Sequence, residues 1–286
     1  MHSSSHEITR KSQSNLAFAL STLPGQRRED MIDFYAFCRV IDDIADDTGQ
    51  AAETKREQLL GWRKAAQEGF PGETWLHPQL RQISQRYSIP SELFVEIIDG
   101  VSRDIEPAVY TTLDELLGYC YQVASAVGLV SIRIFGCGDD RDARCYAIDL
   151  GYALQLTNIM RDVGEDLDND GRFYIPTELL EKFSITEAQL REKRLTPAFV
   201  EMMNYLYLQA ANFYQQASGH IRPSFHRRLV ASEMMATTYR RILERMKADG
   251  YHVFDRRYGL SKFEKAGIFA SAWIRSKCIA RFPKDS

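Results

Sequence analysis

Residues 154–176, LQLTNIMRDVGEDLDNDGRFYIP, set Asn158, Asp162 and Asp166 four residues apart in a run that is otherwise largely apolar. On a helix these side chains stack on one face, a turn apart, and a second stretch, DDIADD at 42–47, does the same with Asp42 and Asp46. Neither arrangement helps a helix, because like charges at that spacing cost roughly a few tenths of a kcal/mol. Neighbours Phe34, Phe37, Ile41 and Ile44 on one side, and Leu154, Ile159 and Val163 on the other, point to partial burial of both helices. Buried carboxylates call for a compensating cation. Oxygen ligands without interleaved His or Cys suit a hard ion, and magnesium keeps waters, takes one or two carboxylates per site and completes its shell with phosphate. The expected ligand is a phosphorylated molecule bridged to the chain by magnesium.

Positive charge stands one turn from each acid cluster. Arg39 precedes Asp42 by three residues, and Arg161 directly precedes Asp162. Beside a metal-bound diphosphate, an arginine fork holds the phosphate oxygens that the metal leaves free. After the second ladder, DNDGR at 168–172 breaks the helix and FYIP at 173–176 reads as a short extended stop. That loop, with Arg172, is expected to form a flap over the phosphate end of a pocket.

Further out, apolar residues recur at three and four through 27–47, 113–135, 142–167, 197–218, 225–249 and 262–281, with no strand-like alternation. Prolines at 71, 78, 90, 107, 176, 197 and 223 fall mainly between these runs. The expected fold is all-α. Helices of about twenty residues reach roughly 30 Å, enough to enclose a deep channel. A chain of 286 residues, 44% hydrophobic, buries a sizeable core, and with no Pro/Gly/Ser-rich linker and no repeat it reads as one domain over 1–286, with 1–11 expected to be disordered.

A net charge of −3 gives no reason to expect nucleic acid. No eighteen-residue apolar stretch is apparent, so no transmembrane helix is expected, and MHSSSHEITRKSQS at the N-terminus lacks a signal-peptide core. Cysteines at 38, 120, 137, 145 and 278, without metal-ligand spacing, read as reduced thiols of a cytoplasmic protein, and the six histidines suggest no zinc site.

Four runs carry a family resemblance: YAFCRVIDDIADD (35–47), YCYQVASAVG (119–128), 154–176 as quoted, and YRRILERMKADGYHVFDRR (239–257). Together they resemble the squalene and phytoene synthases, the head-to-head prenyl diphosphate synthases, over nearly the whole chain. The resemblance implies an isoprenoid synthase helical bundle with a central substrate channel. It also implies magnesium-dependent condensation of two identical allylic diphosphates, farnesyl or geranylgeranyl, through a cyclopropylcarbinyl diphosphate. By position, it makes Asp42, Asp46, Asn158, Asp162 and Asp166 the metal ligands. Ser12, Ser14, Arg39, Arg161, Arg172 and Arg256 become the diphosphate-binding residues, and Tyr35, Tyr119, Tyr174, Tyr239 and Gln155 surround the reacting centre. The chemistry needs such groups: cations stabilise the departing diphosphate, and a dry aromatic wall protects the allylic cation from water.

Three positions depart from the family's pattern or bear on substrate length. Ser125 stands where VAG is commoner, and Leu20 and Ile32 stand where some farnesyl-specific relatives carry larger aromatics. The C-terminal run looks closest to bacterial presqualene diphosphate synthases and to phytoene synthases. Two farnesyl diphosphates giving presqualene diphosphate or a squalene-type product is the leading expectation, with phytoene from two geranylgeranyl diphosphates the alternative. A terpene cyclase would usually carry Ser or Thr and Glu in its second metal motif, and a non-catalytic assembly factor would have lost the aspartates. NADPH is not indicated, since no glycine-rich dinucleotide fingerprint is present, although reductive relatives do without one. Greasy substrates and products imply transient peripheral contact with a membrane.

Overall fold

Aromatic packing fixes how the first helices meet. Phe34 and Phe37 of α1 (Gly25–Asp46) pack with Trp62 of α2 (Ala52–Gln67), Phe94 of α4 (Ser91–Ser102) and Phe70 between α2 and α3, and His77 of α3 (His77–Tyr87) joins them through Trp62 and Phe70, with ring centroids 5.0–6.4 Å apart in mostly edge-on pairs. The helices start where local chemistry lets them. Proline precedes the first residue of α1 and α4 and lies within the first turn of α3, where a missing N–H costs nothing.

The computed structural model describes residues 5–7, 20, 22–106, 108–168 and 173–278, with side chains as far as residue 272. Among these residues the fold is all-α, without strands, as expected. After α4 come α5 (Leu113–Cys120), a π-helical turn at Tyr121–Ser125, α6 (Ala126–Phe135), α7 (Arg141–Asp168), α8 (Thr177–Lys182), α9 (Glu187–Arg191), α10 (Pro197–Gly219), α11 (Val230–Ala248) and α12 (Lys262–Cys278). Their buried apolar residues form one continuous cluster.

The long helix α7 is central, packing on α10, α6, the π turn and α11. Two glycines set its distances. A Cβ on Gly151 would lie 2.5 Å from the Ser125 backbone and hydroxyl, and one on Gly164 would lie 2.5 Å from the Val253 carbonyl. Ser125, the residue that departs from the family's pattern, is fully buried at the first crossing and donates to the Ile148 carbonyl at 2.8 Å.

The expected run 225–249 begins later than its periodicity suggests, because Pro223–Phe225 closes a 3₁₀ turn and the α-helix starts at Val230. The expectation that no apolar run is long enough to cross a membrane needs correction. Leu113–Phe135 meets that criterion by length and composition. Nearly half of it is buried, against α4 and α7, where it forms part of the wall described next. Ser12, Ser14, Arg172 and residues 169–171 of the expected flap lie outside the described residues, as does the N-terminal segment 1–11 expected to be disordered except for 5–7, which are helical.

Candidate active site

The acid pair of α1 sits at the helix C-terminus, where the backbone dipole already disfavours negative charge. The structure offsets this locally. The buried Lys55 ammonium donates to the Ala45 carbonyl at 2.9 Å, and the Asp47 carboxylate accepts from the Gly49 amide at 2.8 Å and from Gln50 Nε2 at 2.6 Å. Arg39 pairs with Asp43 and lies 3.8 Å from Asp42. A local cation and a capped end thus hold acids that helix energetics would remove.

Between α1 and α7 lies a cavity of about 430 Å³. At one end stand Tyr35, Arg39 and Asp42 from α1, Gln155 and Asn158 from α7, and Tyr239 from α11. At the other are Met31, Ile132, Phe135 and Tyr146, and the connecting wall includes Ile97, Val101, Val123, Val127, Leu150, Leu154 and Met235. Asp42 and Met31 are eleven residues apart on α1, and Asn158 and Tyr146 twelve apart on α7. At about 1.5 Å per residue the cavity therefore runs roughly 16–18 Å from a polar mouth to an apolar floor. The two acid-bearing helices face each other across it.

Asp42 is pushed up to about 7, chiefly by burial, with Arg39 opposing the shift and Asp46, Asp104 and Asp43 adding to it. Its side chain retains 40% of its exposure, yet it lines the cavity, so the carboxylate meets water only in an enclosed mouth ringed by other acids. Across from it the Asn158 Oδ1 is buried without a hydrogen bond, while its amide nitrogen reaches Gln155 Oε1 at 3.4 Å. An orphaned acceptor costs about 1–3 kcal/mol, and here it lines the same cavity as an acid reluctant to ionise. Both observations fit a hard cation taken up between these helices. No group of three His, Cys, Asp or Glu side chains among the described residues is close enough to cage a metal unaided. The remaining ligands would have to come from phosphate oxygens and water.

On the second ladder, Arg161 grips Asp162 with two nitrogens, at 2.8 Å and 2.5 Å, and stands 5.8 Å over the Tyr239 ring. Burial works against the Arg161 charge, but the hydrogen bond and charge of Asp162 outweigh it and the guanidinium is held more firmly protonated. At Gly164 the chain beyond α11 crosses α7 closely and delivers Arg257, whose Nε lies 3.2 Å from Asp162 and 3.4 Å from Glu165. Arg256, the arginine singled out from sequence, instead lies 3.3 Å from Asp249. The neighbouring position was therefore missed: both arginines stand in the same DRR run, and spacing alone does not say which one turns toward α7.

Of the residues named from sequence, Tyr35, Arg39, Asp42, Gln155, Asn158 and Tyr239 are brought together on the cavity wall, while Asp46, Arg161, Asp162, Asp166, Tyr119 and Tyr174 are not part of it. Tyr119 is 3% exposed and donates to Asp104 Oδ2 at 2.9 Å, and Tyr174 donates to Asp104 Oδ1 at 2.9 Å. Burial, then the charge of Asp104, raises Tyr119 far above the ordinary phenol value. Asp104, in the 3₁₀ turn Arg103–Ile105, was not singled out from sequence, because a lone acid outside the helical ladders carries no periodic signal. Cys38, Cys120, Cys137 and Cys145 are free thiols, as expected.

Comparison with known proteins agrees with this geometry. Residues 9–264 match the squalene/phytoene synthase family. The chain is 35% identical over 263 residues to a phytoene synthase from Thermus thermophilus, covering 91% of this chain and 86% of that one. It is 36% identical over 243 residues to a presqualene diphosphate synthase from Zymomonas mobilis, covering 83% and 81% respectively. Among solved structures it is similar to a ligand-bound dehydrosqualene synthase (TM-score 0.84, 27% identity, 96% and 95% coverage). It is also similar to a squalene synthase from Alicyclobacillus acidocaldarius (TM-score 0.76, 26% identity, 86% and 93% coverage). A cavity polar at one end and apolar along its length, carried on helices of this order and matched by these relatives, makes the chain a prenyltransferase of the squalene/phytoene synthase family, the head-to-head prenyl diphosphate synthases.

Proposed function

We propose that the protein joins two farnesyl diphosphates head to head, giving presqualene diphosphate or a squalene-type product. The length of the cavity carries this reading. A fully extended farnesyl chain is about 15 Å long at ordinary bond lengths, close to the 16–18 Å between mouth and floor, whereas a geranylgeranyl chain of about 20 Å must fold. The alternative, phytoene from two geranylgeranyl diphosphates, is kept by the similarity to the phytoene synthase of Thermus thermophilus.

In this reading Asp42, Asp46, Asn158, Asp162 and Asp166 hold magnesium, the divalent ion their hard oxygen ligands suit. Bound there, the metal would neutralise the diphosphate as it leaves. The chain's own groups do the rest. Arg39, Arg161 and the arginines of the 252–258 segment orient diphosphate oxygens, so that the allylic C–O bond breaks with its electron pair on the leaving group. Tyr35 and Tyr239 present ring faces to the allylic cation at the mouth. The C2–C3 double bond of the second molecule attacks that cation. Loss of one proton, to the diphosphate or to a phenol, then closes the cyclopropane. Val101, Val123, Val127 and Leu154 keep water from the cation. Ser12, Ser14 and Arg172 are proposed to complete the diphosphate end.

Incubating purified protein with magnesium and farnesyl or geranylgeranyl diphosphate, with and without NADPH, then extracting products for mass spectrometry, tests the proposal. Presqualene diphosphate or a thirty-carbon hydrocarbon from farnesyl diphosphate is the expected result. Phytoene alone would replace it with the carotenoid reading, and no coupled product from either substrate would overturn both.

A further inference from the structure

Asp104 lies outside both acid ladders, and the reaction as described makes no use of it. Its two carboxylate oxygens are divided between two phenols, Tyr119 and Tyr174, each at 2.9 Å. Those rings stack on each other with centroids 5.3 Å apart and planes 25° apart, and Tyr110 lies against both at 5.6 and 6.3 Å. The backbone is locked here too: the Thr177 amide donates to the Tyr110 carbonyl at 2.9 Å and the Glu178 amide to the Thr111 carbonyl at 3.1 Å. The segment that follows the second acid ladder is thus laid along the start of α5, with Asp104 at the junction. The turn carrying Asp104 packs on α1, the helix that brings Asp42 to the cavity mouth.

We propose that Asp104 is a positioning residue of the diphosphate end, fixing the phenols of Tyr119 and Tyr174 while adding negative charge behind Asp42 that strengthens cation capture without ligating the metal. A phenol committed as donor to a carboxylate cannot rotate its proton toward the cavity, so its ring and oxygen lone pairs keep one orientation. A carboxylate satisfied by two hydroxyls keeps a single position, and its charge acts at short range across a poorly solvated mouth. This inference rests on the head-to-head reading above for its effect on turnover, but not for its effect on metal binding.

Three forms separate charge from geometry: Asp104→Asn removes the charge, Asp104→Glu keeps it but moves the oxygens, and Tyr119→Phe keeps it with one hydrogen bond fewer. Mn²⁺ binding in the presence of inorganic diphosphate, read by electron paramagnetic resonance, is compared with product formation and thermal midpoint. Asp104→Asn is expected to raise half-saturation by about fivefold or more and to lower turnover by at least tenfold per folded molecule. Tyr119→Phe and Asp104→Glu should bind Mn²⁺ within about twofold of the parent while losing turnover. A purely structural role would lower the thermal midpoint and leave half-saturation of the folded protein unchanged. Unaltered Mn²⁺ binding in Asp104→Asn therefore overturns the proposal. Should that variant not fold, Asp104→Glu decides: full turnover overturns the positioning role, and weakened Mn²⁺ binding overturns the charge role. If the parent protein makes no coupled product, the head-to-head reading fails by itself and the Mn²⁺ comparison still tests Asp104.

Discussion

The Asp42 carboxylate holds its proton to about pH 7 in the folded chain, against 3.8 for the free group. Below 3.8 both folded and unfolded forms are protonated and this residue's contribution to stability is fully present. Between 3.8 and about 7 only the unfolded chain releases the proton, so that contribution is lost as pH rises. The metal-free protein is accordingly expected to lose thermal stability across this window. Asp42→Asn should flatten the dependence and raise the thermal midpoint at pH 8, while abolishing turnover. Parallel pH profiles for the two proteins, measured by circular dichroism melting in chelator, would show that Asp42 is not the group responsible. The arginines at 256 and 257 allow a second test. Both side chains are more than half exposed, so their ion pairs add little to stability. Alanine at either position should move the thermal midpoint by no more than about 4 °C yet raise KM more than about tenfold, because a charge-assisted grip on diphosphate is lost. An unchanged KM in Arg257→Ala would mean that its contact with Asp162 serves only the free protein.

At the scale of elements, α7 works because two neighbours approach it without side chains in the way. Gly164→Ala would place a methyl group 2.5 Å from the Val253 carbonyl, an atom fixed in the backbone. The segment carrying Arg257 must then retreat from Asp162. A cost of about 1–3 kcal/mol is expected, seen as a thermal midpoint lowered by about 2–10 °C, with turnover falling further than the melting shift explains. Much of this level was legible in sequence. The 3.6-residue pattern located α1, α7 and α10 closely, because each buries a continuous stripe against the core. It did not find α2, α3 or α4, nor the short α8 and α9. Helix α2 buries only Lys55, Leu59, Ala65 and Ala66, so its helical state is decided by docking on α1 and α4 rather than by a strong apolar face. The π turn at Tyr121–Ser125 was equally silent, since it lies at the close crossing of Ser125 on Gly151, 26 residues further along the chain. The same limit hid Asp104: the i,i+4 carboxylates announced themselves by straining a helix, whereas an acid that matters through two distant phenols leaves no local trace.

For the whole molecule, a cavity with an apolar floor and wall implies a cargo that water does not carry well. Prenyl chains partition into bilayers, and their coupled product more so, which makes exchange with a lipid surface the natural route in and out. The first turn of α12 offers an anchor: Phe263 is 90% exposed, directly after Lys262 and two residues before Lys265, with the intervening Glu264 paired to Arg245. An exposed aromatic flanked by cations is the composition that sits at a lipid headgroup boundary, with the ring among the acyl chains and the ammonium groups among anionic phosphates. The protein is therefore expected to float with liposomes containing anionic lipid at low ionic strength and to be released by salt, as peripheral contact requires. Phe263→Asp should abolish flotation, while turnover on detergent-dispersed substrate stays within about twofold, because the residue is not part of the cavity wall. Flotation that survives both the substitution and high salt would place the lipid contact elsewhere, most simply on the long apolar run Leu113–Phe135, and would mean that this run does more than wall the cavity.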